Sequence, residues 1–147
     1  MYYDANLKSF YESKNGKAYL ALNHINVSLG ELVNLLDSFY EDKIRVNEII
    51  KDIDIIANDL KDNTTKFDYR RKTLFSSWLK DTDIASFLPL GHKSALKALK
   101  ISYEIDLLLN DLDEEKSEYM YLVSLYLKQL FKYINDIKGV SVERWKK

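Results

Sequence analysis

The chain has 147 residues, 46% apolar and 31% charged, with one Pro, four Gly and no Cys. A chain of this length can bury roughly 70% of the surface its unfolded form exposes, so a single helical domain over residues 1–147 is expected, and a disordered polar chain and an all-β fold are disfavoured. The missing Cys excludes disulfides, thiolate metal sites and cysteine nucleophiles.

The net charge of −1 conceals strong segmentation. Residues 28–63 carry nine acids and four bases, residues 64–100 three acids and eight bases, and residues 101–138 eight acids and four bases. A basic middle lies between two acidic arms, to pair with them inside the fold or to face an external anion. Met1 to Asp4 lacks the basic and apolar regions of a signal peptide, and no apolar run is long enough to span a bilayer. A soluble, cytoplasmic protein is expected. Eighteen Lys against four Arg, with abundant Ile, Asn and Tyr, is the composition of an AT-rich genome. A low-GC bacterium, its phage or another AT-rich virus is the expected source, and for a viral protein the location would be the host cytoplasm or the virion.

In residues 4–27, Asp4 can cap a short helix carrying Leu7, Phe10 and Tyr11 and ended by Gly16. Asn15-Gly16 is also a hairpin signal, and helix is the preferred reading. Tyr19, Leu20, Leu22, Ile25 and Val27 then cover one end of a bundle.

The chain is organised around residues 28–62. Leu29, Leu32, Leu36, Phe39, Lys43, Val46, Ile50, Ile53, Ala57 and Leu60 alternate in threes and fours, which predicts one long helix with an apolar seam. Ser28 and Glu31 form a capping-box sequence, with Val27 placed to staple onto Leu32. Such a helix would be about 50 Å long at 1.5 Å per residue, so its seam needs a partner.

Thr65, with Asp68 three residues on, predicts a cap for a helix over 66–80 that turns Phe67, Leu74, Phe75, Trp78 and Leu79 inward. A short helix from Asp81 to Leu88 ends at Pro89-Leu90-Gly91. From His92 to Lys138 a second seam runs through Ala95, Ala98, Ser102, Ile105, Leu109, Leu112, Lys116, Tyr119, Val123, Tyr126, Leu130, Tyr133 and Ile137. The polar run 111–117 predicts a bulge or a break within it. Gly139 ends this helix, and a short amphipathic tail carries Trp145. The expected fold is an all-α bundle on two long, roughly antiparallel helices, 28–62 and 92–138, with shorter helices packed across them.

Signatures of catalysis are missing. The two His, His24 and His92, have no carboxylate three residues earlier, so the Glu-x-x-His pairs of a di-iron bundle do not occur. There is no Gly-rich phosphate loop and no Ser elbow. No catalytic residue, cofactor, metal ligand or small-molecule substrate is expected, and the chain reads as a non-enzyme.

The expected function is non-catalytic protein–protein interaction or self-association, as an accessory, structural or inhibitory protein. Tyr121, Phe131 and Trp145 are the candidate interface aromatics. The alternative is DNA binding through residues 83–100, DIASFLPLGHKSALKALK, whose apolar pairs, Gly-containing turn and basic second helix resemble a helix-turn-helix. His92, Lys93, Lys97 and Lys100, with Arg70, Arg71 and Lys72 upstream, would contact phosphates rather than read bases.

Overall fold

A computed structural model describes residues 5–62, 66–79 and 90–139. Its helices are α1 (Ala5–Glu12), α2 (Lys14–Asn34), α3 (Tyr40–Asp62), α4 (Phe75–Trp78), α5 (Lys93–Leu108) and α6 (Glu114–Ile137). Two 3-10 segments, Tyr69–Leu74 and Leu109–Asp111, precede α4 and follow α5. The all-α expectation holds, with no strand among the described residues.

The single helix expected over 28–62 is instead two. α2 begins 14 residues before Ser28 and stops at Asn34, where the Leu35 amide donates to the Leu32 carbonyl at 2.9 Å and the Leu36 amide to the Val33 carbonyl at 3.1 Å. Leu36 and Phe39 point into the core while Asp37 and Ser38 face water, and α3 then runs back along α2. The physical reason is that the helix begun at Lys14 gives α3 a local partner along its length: Asn26 donates to the Ile50 carbonyl at 3.1 Å and the Lys61 ammonium lies over the Tyr19 ring. The periodicity survives because Leu36 and Phe39 plug the end of the bundle. Ser28 is buried in the middle of α2 and caps nothing, and Val27 is exposed and staples nothing.

The seam over 92–138 does break, by way of the 3-10 turn at Leu109–Asp111. Asp113 then caps α6 by accepting from the Lys116 amide at 3.0 Å. At the amino end there is no hairpin: Ser13 caps α2, its hydroxyl accepting from the Gly16 amide at 3.0 Å. Position 16 has to be Gly because a Cβ there would sit 1.7 Å from the Phe10 carbonyl oxygen.

The helices α2, α3, α6 and α5 form a square in which every neighbour is antiparallel. On the α2–α5 side, His24 faces Glu104 at 3.7 Å and Glu31 faces Lys97 at 3.0 Å. On the α3–α6 side, Asp52 accepts from the Tyr119 hydroxyl and Asp42 from the Tyr126 hydroxyl, both at 2.6 Å. α3 and α6 are less closely packed than the other neighbours, and residues 66–79 lie between them as a strap.

Phe67 packs edge-on against Tyr119 with ring centroids 4.7 Å apart, Phe75 does so at 5.6 Å, and Trp78 lies 5.8 Å from Tyr126. Arg71 pairs with Asp52 at 2.7 Å and Glu48 at 3.2 Å, and Lys72 with Glu118 at 3.2 Å. The continuous helix expected over 66–80 is therefore a 3-10 segment capped by Asp68, followed by one α-turn. A gap lined by aromatic rings sets its path more strongly than helix propensity does. The cap expected at Thr65, the helix expected at 81–88 and the tail with Trp145 lie outside the described residues.

Candidate functional site

The chain enters α5 through a fixed corner. Gly91 has φ +131°, a backbone conformation that favours glycine, and a Cβ there would come within 2.3 Å of the Asn135 side chain. Asn135, fully buried on α6, accepts from the His92 amide at 2.9 Å and donates to the Leu90 carbonyl at 3.2 Å. His92 is the N-cap of α5: its Nδ1 accepts from the Ser94 amide at 3.3 Å and lies 2.8 Å from the Ser94 hydroxyl. That ring is spent on positioning the helix start.

Beyond this corner α5 breaks a local rule. Its first turn holds no acidic residue, and Lys93 stands at the positive end of the helix dipole, where a cation is disfavoured by about 0.3–1 kcal/mol. Lys93, Lys97 and Lys100 follow at helical spacing, a stripe about 10 Å long at 1.5 Å per residue. Lys97 pairs with Glu31 of α2, while Lys93 and Lys100 are exposed with no acidic partner among the described residues. The Lys93 and Lys100 ammoniums thus add positive charge beside an already positive helix end.

Two further concavities are less suited to an anion. A groove of about 170 Å³ between α3 and α6 is lined by Glu41, Asp42 and Asp136 as well as Arg45 and Lys132. Arg45 is held there by Glu41 at 2.6 Å and lies over the Trp78 ring. A cleft of about 770 Å³ at the opposite end of the bundle from the α5 corner is lined by Lys14, Lys61, Lys66 and Lys116. Asp59, Asp62, Asp111 and Asp113 line it too, so its charges cancel.

The remaining basic candidates are tied into the fold. Arg70 is bonded to Asp68 at 2.9 Å, Arg71 lies between Asp52 and Glu48, and Lys72 faces Glu118. The expected set thus divides, with Lys93, Lys97 and Lys100 on one face of α5 and Arg70, Arg71 and Lys72 on the strap. Among the interface aromatics, Tyr121 is 49% exposed. Phe131 is fully buried and is corrected to a core residue: the stripe through Leu127, Phe131 and Ile134 faces inward because α6 meets both α5 and α3. Trp145 lies outside the described residues.

Sequence reading missed the buried polar contacts between α3 and the rest, Asp52–Tyr119–Arg71 and Asp59–Lys116–Asp113. Only the second left a local trace, in the Asp113-x-x-Lys116 spacing. The described residues hold no group of three or more His, Cys, Asp or Glu able to hold a metal ion, and none of their helices is long and apolar enough to cross a membrane.

No protein-family model matches the chain, and no curated protein matches it. Solved structures do. A variant of a PduO-type ATP:corrinoid adenosyltransferase from Lactobacillus reuteri, complexed with cobalamin and ATP, superposes with a TM-score of 0.81 at 13% identity, over 93% of this chain and 86% of that one. The fold is shared with these enzymes. A second variant, complexed with ATP, gives 0.73 at 13% identity over 92% and 89% of the two chains. A third, with cobalamin and ATP, gives 0.75 at 13% over 93% and 88%.

These likenesses correct the functional expectations. A non-catalytic interaction protein of phage or viral type, with DNA binding as its alternative, is not what the neighbours are: they are bacterial enzymes. The readings of a non-enzyme and of no small-molecule substrate fall with it, since the neighbours are complexed with ATP and cobalamin. The physical reason is that a helical bundle assembles a site from side chains on several helices, so a missing linear motif says little about catalysis.

Proposed function

We propose that this chain is an ATP-using enzyme that transfers an adenosyl group, with a corrinoid as acceptor. The observation that carries the reading is the superposition, over nearly the whole of both chains, on an adenosyltransferase holding cobalamin and ATP. In such a transfer a bond forms between the acceptor's reduced cobalt, which supplies the electron pair, and C5′ of ATP, while the C5′–O bond breaks and triphosphate leaves. The negative charge to be stabilised develops on that leaving group.

This chain's own contribution is Lys93, Lys97 and Lys100, which hold the triphosphate along the first turns of α5. ATP relieves the unfavourable charge at that helix start and displaces Glu31 from Lys97. Gly91, His92 and Asn135 position the helix end. ATP as a substrate accords with a cytoplasmic protein acting as one helical unit.

The test is to mix purified protein with ATP and chemically reduced cobalamin and follow adenosylcobalamin by absorbance, alongside calorimetric titration with ATP. Lys93→Glu with Lys100→Glu, both exposed, is expected to weaken ATP binding at least about tenfold without changing the circular dichroism spectrum. Lack of product together with lack of ATP binding refutes the reading. Full ATP affinity in the double variant refutes the assigned face.

A further inference from the structure

We propose that the cleft at the far end of the bundle is a second binding site, for a neutral polyhydroxylated ligand such as a sugar. It lies between the start of α2, the end of α3 and the turn into α6, at the other end of α5 from the lysine stripe. Its volume of about 770 Å³ is in the range of small-molecule sites, roughly 300–1,000 Å³.

The wall holds a polar group with unused bonding capacity. Asp59 is 7% exposed, and its Oδ1 has no hydrogen-bond partner. The Lys66 ammonium stands 3.5 Å from that oxygen on a side chain 69% exposed. Asp59 Oδ2 pairs with Lys116 at 3.3 Å, and Lys116 is bonded in turn to Asp113 at 2.6 Å. Behind that wall the Tyr69 hydroxyl is buried beside Lys116, and burial pushes its pKa up to about 12. With the Lys66 ammonium no nearer than 3.5 Å, this buried carboxylate oxygen is ion-paired but not hydrogen-bonded, and a ligand that supplies a donor completes it.

The charges around that oxygen select the class of ligand. An ammonium ligand at Asp59 would meet the Lys66 and Lys116 ammoniums, and an anion would meet Asp59, Asp111 and Asp113. A hydroxyl escapes both. It donates to Asp59 Oδ1 and accepts from Lys61 or Lys66 on the same wall, and a vicinal diol repeats the pattern on the next donor and acceptor. Leu60 and Leu112 provide apolar surface for the C–H face of a ring.

The experiment is amide NMR of the full chain titrated with glucose, ribose and N-acetylglucosamine, with lysine and glucose 6-phosphate as charged arms. At least one neutral sugar is expected to give saturable shifts at Leu60, Lys61 and Leu112, and to bind about tenfold more weakly to Asp59→Asn. Asn15→Trp, at the exposed rim, is expected to abolish the shifts with the buried pairs intact, and decides the matter if Asp59→Asn does not fold. Absence of saturation by every neutral sugar, tighter binding of either charged arm, or unchanged binding in the variant that folds overturns the proposal.

Discussion

Tyr119→Phe removes one oxygen atom from the joint between α3 and α6. The Tyr119 side chain is 1% exposed and its hydroxyl donates to Asp52 Oδ2 at 2.6 Å, while Asp52, 5% exposed, keeps Arg71 at 2.7 Å from its other oxygen. The ring contacts with Phe67 and Phe75 remain, so the loss is one hydrogen bond to a charged acceptor, about 1.5–3 kcal/mol. At about 2–4 °C per kcal/mol for a domain of this size, the midpoint of thermal unfolding should fall by about 3–12 °C. Urea unfolding should show the midpoint moving with an unchanged slope. A double-mutant cycle with Asp52→Asn isolates the pair, and the phenylalanine substitution should cost about 1 kcal/mol less in that background. A loss below about 0.5 kcal/mol, or the same loss in both backgrounds, would refute the account of this joint as a charge-assisted bond.

Three other substitutions or conditions test separate parts of the bundle. Phe131→Ala should cost about 3–5 kcal/mol by opening a cavity, against about 0.5 kcal/mol or less for exposed Tyr121→Ala, as read by urea unfolding. Gly16→Ala should undock α1, because the added Cβ meets the Phe10 carbonyl. α1 has no buried residue, so faster proteolysis within residues 5–12 is expected, with a loss of only about 1–3 kcal/mol.

Stability should fall at both ends of the pH scale. Burial alone would raise the Asp113 pKa, but hydrogen bonds from the Lys116 side chain and amide outweigh it and hold the carboxyl below 3.8. A depressed acid contributes above its unfolded pKa of about 3.9 and loses that contribution as pH falls through the folded value. Tyr69, raised to about 12 by burial, contributes below about 10 and loses it as pH rises towards 12. Tyr119 and Tyr126 are raised by burial in the same direction. A urea midpoint that begins to fall near pH 10, with a smaller fall in Tyr69→Phe, is expected; a flat midpoint up to pH 11 would contradict it.

The sequence by itself determined that the chain is helical, and which residues form most of its core. Threes-and-fours spacing is a property of one helix face, and it is written locally whatever that face packs against. It also located the break before α6, because a polar run cannot continue an apolar seam, and it marked the lysines of α5. Tertiary structure decided the rest. The fold-back at 35–39 was not legible from periodicity because Leu36 and Phe39 keep the pattern through the turn. The strap was not legible because its path is set by the gap between α3 and α6. Phe131 belongs inside only because α6 has two neighbours. Arg71 loses its free charge only because Asp52 and Glu48, some twenty residues earlier, are brought beside it, whereas on α5 the bundle brings Glu31 to Lys97 and, among the described residues, no carboxylate to Lys93 or Lys100.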